Sequence, residues 1–318
     1  MLIALTSAWR HLALRAAALP ALLALSGPLA PPAAAAAPRV VAADGVLCDL
    51  TRTVAREDLE VICLQPAGRD PHLAALRPSD RQQLASAELV LINGYGLTPA
   101  LNKVSGRGRR IAVAEQAVPE SPSLERGGAR DPHVWHDPRQ TAAMVSLLAR
   151  SLAPLSRQDA ALNRRSQEAR AVLRDLDAWS ERQIAGLPAE ARVLASGHRA
   201  FLSLARRYGL RDLAVIESFS TAGLMRPQGL EQASAALRRS GARVIFADQL
   251  PPPKALRRIA QRSGIPIAPQ ALSADGLAPN RHYVATFSAN VCAVVKAQGG
   301  SCDSAAADRL AARWSAIR

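Results

Sequence analysis

The chain has 318 residues, a formal net charge of +14 and only 3% aromatic residues. This length allows two domains of ordinary size or one large α/β unit. So basic a chain raises the question of nucleic-acid binding, but the arginines are scattered and aromatic residues are scarce, so we expect no nucleic-acid partner.

The first 37 residues have the layout of a secretory signal peptide. Arg10 and Arg15 lie there without any acidic residue, and the apolar run AAALPALLALSGPLA and the small residues of PPAAAAAP follow. The apolar run is interrupted by proline and is shorter than the about 20 residues that a membrane-spanning helix needs. We therefore predict that residues 1–37 are removed by cleavage near Ala37, which leaves an exported, periplasmic protein.

Short apolar runs typical of strands alternate with helical patterns in both halves of the remaining chain. The runs are RVVAA (39–43), LEVICL (59–64), ELVLING (88–94), RIAVAE (110–115), RVLAS (192–196), LAVIES (213–218), RVIFAD (243–248) and IPIAP (265–269). Near-continuous apolar strands separated by helices are typical of parallel sheets that are covered on both faces. The pattern predicts an α/β fold with two lobes, each a mainly parallel sheet flanked by helices.

A segment without strand signals lies between the two sets of runs. Its apolar residues recur at helical spacing, at Leu162, Val172, Leu173, Leu176, Trp179 and Ile184. Ser156 and Asp159 in SRQD resemble a helix-capping box. We predict one long rigid helix over 156–187, which joins an N-terminal lobe (38–155) to a C-terminal lobe (188–318).

The four cysteines, Cys48, Cys63, Cys292 and Cys302, are expected to form disulfides because the protein is exported. Three pairings are open to four cysteines, and proximity along the chain favours Cys48–Cys63 and Cys292–Cys302. A bond that closes a loop of about 15 residues stabilises the fold by about 3 kcal/mol in the chain-entropy model. A thiolate metal site is disfavoured because the sequence contains no CxxC pair.

The tripeptide Asp-Pro-His occurs twice, at residues 70–72 and 131–133. His72, His133 and His198 each lie at or just past the end of a predicted strand or in a loop, and ligand sites in open α/β sheets form beyond the carboxyl ends of strands. Taken alone, each is more often a loop residue than a ligand, although the preceding proline stiffens both tripeptides. Asp70 and Asp131 can cap the turn or accept a hydrogen bond from the imidazole.

Three other residues have weaker signals. Asp275 follows the last predicted strand and is either an oxygen ligand or part of a plain Asp-Gly turn. His136 is expected to cap or pack, and His282 to lie solvated at the start of a helix. Enzymatic motifs such as GxSxG, HExxH and the P-loop are missing from the sequence, so we predict that the protein is not an enzyme.

Longer stretches of the sequence resemble a known family in order across nearly the whole mature chain. They are VLCDLTRTVA, ICLQPAGRDPHLAALRPSDRQQLASAELVLINGYGL, DPHVWHDP, SGHRAFLSLARRYGL, RVIFADQL, LSADGL and NRHYVATFSANVCAVVKAQGGSC. They resemble the metal-specific solute-binding proteins of ABC importers, above all the high-affinity zinc-uptake receptors. The resemblance implies two α/β lobes joined by a rigid helix, with the metal held between them.

The resemblance also implies the ligand set, at His72, His133, His198 and Asp275. Asp248 stays an alternative to Asp275, as does water, because the family usually has glutamate at that strand end. Three imidazoles and one carboxylate suit Zn²⁺, whereas Mn²⁺ prefers more oxygen ligands. Two departures count against a simple match: residues 103–131 contain no histidine, and Arg199 stands where an acid is common, so we expect its side chain to point away from the site.

The resulting hypothesis is a periplasmic receptor that binds Zn²⁺ as its transported ligand and delivers it to an ABC permease and its ATPase. We expect a monomer that meets the membrane only through the permease. A manganese-specific receptor of the same family and an exported zinc-dependent hydrolase are the alternatives.

Overall fold

The predicted strands of the first half form one parallel sheet. The computed structural model describes residues 37–73, 75–104, 106–123, 128–216 and 227–318, so the predicted signal peptide lies outside the described residues except for Ala37. The strands are β1 (Arg39–Ala42), β2 (Glu60–Cys63), β3 (Leu89–Ile92) and β4 (Arg109–Ala112). They lie in the order β2-β1-β3-β4 and every neighbouring pair is parallel. The last strand is shorter than predicted because a helix begins at Val113.

The second half contains a regular parallel pair, β5 (Val193–His198) and β6 (Arg211–Ile216). The predicted strands 243–248 and 265–269 are not regular strands but are joined by single parallel bridges, at Ser196↔Phe246 and Ile245↔Ile267. Pro266 and Pro269 explain part of this difference, because proline has no N–H group to donate to a ladder. The last two residues of the predicted strand 213–218 lie outside the described residues.

The two halves share one strand order. Segment 243–248 lies beside β5, and segment 265–269 lies beside segment 243–248. The order in the second half is therefore β6, β5, segment 243–248 and segment 265–269, which matches the order β2-β1-β3-β4 of the first half. In such an order the connections from the first and third strands of each half lead in opposite directions along the sheet. Ligands bind between these two strands, beyond their carboxyl ends.

Helices flank both sheets. They are α1 (Gly45–Ala55), α2 (Pro78–Ser86), α3 (Val113–Ala117), α4 (Pro138–Leu152), α5 (Asp159–Ala185), α6 (Leu202–Tyr208), α7 (Pro227–Ser240), α8 (Lys254–Ser263), α9 (Tyr283–Ala297) and α10 (Ser304–Ser315). Among the described residues, no helix combines the length and apolar character that crossing a membrane requires.

Helix α5 is the predicted long helix and has 27 residues. Its predicted apolar face is buried, at Leu162, Val172, Leu173, Leu176, Trp179 and Ile184. The helix packs against α1 and α4 from the first half and against α6, α9 and α10 from the second. The prediction that Ser156 caps it is wrong, because the helix begins two residues later than a Ser156 cap requires and Gln158 occupies the cap position. The Ser156 hydroxyl instead accepts a bond from the Gln158 N–H at 2.9 Å and contacts the Asp58 carboxylate.

Both predicted disulfides are present. Cys48 on α1 is bonded to Cys63 at the end of β2, with 5.5 Å between the Cα atoms. Cys292 on α9 is bonded to Cys302 just before α10, with 5.3 Å between the Cα atoms. Each bond joins neighbouring elements, so it stabilises local structure.

Candidate metal centre

The two Asp-Pro-His tripeptides form the same turn. The Asp70 Oδ1 atom accepts a hydrogen bond from the His72 backbone N–H at 2.8 Å, and Asp131 Oδ1 accepts one from the His133 N–H at 2.9 Å. An aspartate that bonds to the backbone two residues on is a common way of fixing a tight turn. The repeated sequence therefore presents two histidines by the same local device.

The second tripeptide is fastened to the sheet of the first half. Asn93, directly after β3, donates from Nδ2 to the Pro132 carbonyl at 2.8 Å and is buried. The Asp131 N–H donates to the Pro122 carbonyl at 2.6 Å. Sequence reasoning missed Asn93, although a polar residue at the end of an apolar strand was a signal that could have found it.

His198 is the last residue of β5, and Asp248 ends the neighbouring extended segment. A Cβ atom at Gly197 would lie 2.8 Å from Asp248 Oδ2, closer than real contacts allow. Glycine at this position is therefore required for the approach of Asp248 to His198. Asp275 lies in the loop that follows segment 265–269.

The four predicted residues converge on one point. Asp275 Oδ1 lies 3.3 Å from His72 Nε2, 3.2 Å from His133 Nε2 and 3.0 Å from His198 Nε2. The Nε2 atoms of His72 and His133 are 3.2 Å apart, and one atom from each of the four residues lies within 4.8 Å of every other. A tetrahedral ion with ligands at about 2.0–2.1 Å requires ligand–ligand edges of about 3.3–3.4 Å. These four distances are close to that size, so the group fits a four-coordinate metal.

Two further carboxylates hold the imidazole rings. Asp131 Oδ1 accepts from His133 Nδ1 at 2.8 Å, and Asp248 Oδ2 accepts from His198 Nδ1 at 2.9 Å. A proton on Nδ1 leaves Nε2 of the neutral ring as the coordinating atom, which is how carboxylates orient metal-binding histidines. Asp248 therefore contacts the side of His198 that faces away from Asp275.

The carboxylates around the histidines shift their pKa values. Burial lowers the pKa of His198, but the hydrogen bonds to Asp248 and Asp275 outweigh it and raise this pKa to about 10. The pKa of His133 is also raised, because Asp131 and Asp275 outweigh the effect of burial. Burial raises the pKa of Asp275, but its three histidine neighbours hold it well below the ordinary value. Without metal, His198 therefore carries a proton on each ring nitrogen at neutral pH.

Metal binding is therefore expected to release protons and to strengthen as pH rises. A raised histidine pKa means that the metal must displace a proton below that pKa, so affinity rises by up to tenfold per pH unit for each proton displaced, through neutrality toward pH about 10. The measurement is titration calorimetry at about pH 8 in buffers of different ionisation enthalpy. An observed enthalpy that does not depend on the buffer would contradict this prediction.

His136, His282 and Arg199 do not join the group of four. His136 is buried and donates from Nε2 to the Ala274 carbonyl at 2.8 Å, so the prediction that it packs is confirmed. His282 caps α9 by accepting from the Ala285 N–H at 3.3 Å and is half-buried rather than solvated. Arg199 contacts the Asp212 carboxylate on β6, and its side chain is only 13% exposed.

Comparisons with known proteins find relatives that are named as metal-binding proteins. The sequence model of one family, described as "Zinc-uptake complex component A periplasmic", matches residues 40–297. The zinc-binding protein TroA of Treponema pallidum is 32% identical over 71% of this chain and 76% of its own length. The manganese-binding lipoprotein MntA of Bacillus subtilis is 29% identical over 54% of this chain and 58% of its own length.

The fold has a counterpart among solved structures. The periplasmic zinc-binding protein TroA of Treponema pallidum superposes with a TM-score of 0.77 at 27% identity, over 83% of this chain and 99% of that one. The match covers both halves, with their parallel sheets and flanking helices. The chain thus belongs to the family of the periplasmic zinc-uptake component A, the metal-binding solute receptors of ABC importers.

Proposed function

We propose that this protein captures Zn²⁺ with His72, His133, His198 and Asp275 and delivers it as cargo to an ABC permease. The single observation that carries the proposal is the convergence of three Nε2 atoms on Asp275 Oδ1 at 3.0–3.3 Å. Members of the family are substrate-binding receptors that act with a permease and an ATPase, and they are not enzymes. This membership favours the receptor over an exported zinc-dependent hydrolase.

The donor set supports zinc over manganese. Three imidazole nitrogens and one carboxylate oxygen form a set that suits tetrahedral zinc, whereas manganese selects carboxylate, carbonyl and water oxygens. Burial of His133 and His198 excludes much of the water that would complete a six-coordinate shell. One relative is named as a zinc-binding protein and another as manganese-binding, so both metals belong in the test.

We also propose three properties of the mature protein. Its signal peptide is cleaved near Ala37, it is a monomer, and its lobes are residues 38–155 and 188–318 on either side of a linking segment at 156–187. The contacts of α5 support this division into lobes, because α5 packs against helices of both halves.

The test is metal binding by the mature protein. Elemental analysis and competition titration should show one Zn²⁺ per chain, bound more tightly than Mn²⁺, and the triple variant His72→Ala, His133→Ala, His198→Ala should lose it. His282→Ala is the matched control, since this histidine only caps α9. If the triple variant binds Zn²⁺ as tightly as the wild type, the proposed site is wrong. Metal-dependent ester or phosphate hydrolysis that disappears in the triple variant would favour the hydrolase instead.

A further inference from the structure

We propose that helices α7 and α8 carry a basic surface that binds the anionic headgroups of the membrane in which the permease lies. The basic surface consists of Arg239 on α7 and of Lys254, Arg257 and Arg258 on α8. This inference goes beyond the proposed function and does not depend on which metal the candidate site holds. It adds a direct contact with the membrane to the expected contact through the permease.

Helix α8 has one apolar face and one basic face. Leu256 and Ile259 are buried in the core of the second half. The exposed residues of the helix recur at the spacing i, i+3, i+4 and i+7, which places them together on the opposite face. They are Lys254, Arg257, Arg258 and Gln261. Packing of the apolar face thus turns the basic face toward solvent.

Helix α7 packs beside α8 and extends this surface. Leu237 faces the same core as the apolar side of α8, and Arg239 is exposed. Arg238 and Arg262 donate to the two oxygens of Glu231, at 3.0 Å and 3.2 Å. Arg238 also donates to the Arg262 carbonyl at 2.9 Å. These bonds join the two helices, so that their basic residues form one continuous surface.

The charges of the basic surface are not cancelled by neighbouring acids. Glu231 is the single acidic residue in the sequences of α7 and α8, and Arg238 and Arg262 already pair with it. In the described part of the chain, no carboxylate forms an ion pair with the four residues of the basic surface. Arg257 donates to the Pro252 carbonyl at 2.7 Å, which leaves its charge in place. Helix α5 is the contrast, because its five arginines are matched by five acidic residues.

The composition of this surface favours lipid headgroups over a protein or nucleic-acid partner. Single-stranded nucleic acids stack on aromatic side chains, and α7 and α8 contain none. Stable protein interfaces have an apolar centre. Leu73 and Leu250, the exposed large hydrophobic residues of the described chain, lie on neither helix. Lysine and arginine clusters on amphipathic helices are instead typical of binding to anionic lipid.

The place of the basic surface in the fold agrees with a role in delivery. The inner sides of α7 and α8 pack against β5 and segment 243–248, on one face of the sheet. The metal-binding group lies beyond the carboxyl ends of the strands and is not part of that face. The family consists of receptors that serve membrane-bound importers. Binding to headgroups therefore raises the concentration of the receptor around the permease without covering the metal-binding group.

The test is cosedimentation of the mature protein with two kinds of vesicle, phosphatidylglycerol mixed with phosphatidylcholine, and phosphatidylcholine alone. Each cation near an anionic surface strengthens binding about fivefold. We therefore expect four cations to favour the anionic vesicles by about 10²–10³-fold. This preference should shrink as the salt concentration rises, because salt screens exposed charges. Added Zn²⁺ should leave it unchanged.

Two variants with the same change in net charge test the location. The variant that removes the basic surface is Arg239→Gln, Lys254→Gln, Arg257→Gln, Arg258→Gln. The matched control removes four exposed arginines from α2, α4 and α5, as Arg81→Gln, Arg150→Gln, Arg174→Gln, Arg182→Gln. Glutamine has a helix propensity close to that of lysine and arginine, so both variants should fold, as circular dichroism will verify. The first variant should lose the preference for anionic vesicles, and the control should keep it.

Labelling of amines in the wild type gives a measurement that does not depend on the folding of a variant. Lys254 lies in the basic surface, whereas Lys296 is exposed on α9. Anionic vesicles should slow the acetylation of Lys254, measured by mass spectrometry, and leave that of Lys296 unchanged.

Several outcomes would overturn the inference. They are equal binding to the two kinds of vesicle, equal losses in the two variants, and equal protection of the two lysines. Binding to poly-L-glutamate or to DNA without binding to anionic vesicles also overturns it, and identifies an acidic protein or a nucleic acid as the partner. A wild type that binds anionic vesicles but no Zn²⁺ contradicts the proposed function and leaves this inference standing.

Discussion

Replacing Asp275 with asparagine is expected to weaken Zn²⁺ binding by about 10²–10³-fold. Structural zinc sites bind with about 10–16 kcal/mol in all, so one of four ligands accounts for about 3–4 kcal/mol. Asparagine keeps the shape of the side chain but removes the negative charge, which lies 3.0–3.3 Å from three imidazoles. Competition titration with a chromophoric chelator measures the change.

Asp248→Asn is the matched comparison for Asp275. Asp248 contacts His198 through Nδ1, so its loss disturbs the orientation of a ligand but removes no ligand, and the expected weakening is about 10–100-fold. The sequence left open which of the two carboxylates is the ligand. The relative loss of zinc affinity in the two variants decides between them. If Asp248→Asn weakens zinc binding more than Asp275→Asn does, Asp248 is the ligand and Asp275 the supporting residue.

Asp177→Ala is expected to destabilise the fold by about 3–5 kcal/mol, since it leaves a buried charge without its main partner. Asp177 on α5 accepts bonds from Arg207 Nε at 2.7 Å, from Arg139 Nε at 2.8 Å and from the Tyr208 hydroxyl at 3.0 Å. The Arg207 side chain is only 10% exposed. The urea midpoint of unfolding, followed by circular dichroism, measures the loss.

Asp175→Ala is the control, because Asp175 lies on the same helix and also pairs with arginine. Its partner is Arg313 at 2.7 Å, and both side chains are about half exposed. Exposed pairs contribute about 0–1 kcal/mol. Equal losses in the two variants would show that Asp177 is no more than a surface ion pair. A large loss in Asp177→Ala alone would show that this carboxylate binds α4 and α6 to α5.

The sequence was sufficient for the elements whose signals are local. Apolar runs located the strands of the first sheet, and helical spacing located α5 and its buried face. The prediction of regular strands at 243–248 and 265–269 was wrong, because an apolar run does not reveal whether a neighbouring chain offers continuous pairing. Ser156 was likewise assigned as a helix cap from a local pattern, whereas its hydroxyl bonds to Asp58, which is distant in the sequence.

The candidate site shows the same contrast between local signals, which the sequence reveals, and long-range contacts, which it does not. The repeated tripeptide and the family resemblance predicted His72, His133, His198 and Asp275, and the structure brings these four together. The partners of the supporting residues could not be predicted, because each contact joins residues that are far apart along the chain. The Asn93 bond to Pro132 and the His136 bond to Ala274 are two such contacts.

The order of the two disulfides along the chain has a consequence for maturation. Each bond joins cysteines that are consecutive in the sequence, with separations of 15 and 10 residues. An exported chain that crosses the membrane from its N-terminus exposes Cys48 and Cys63 to oxidant long before Cys292 appears. We therefore expect an oxidase that joins cysteines in the order in which they emerge to make the native pairs, so that no reshuffling of disulfides is needed.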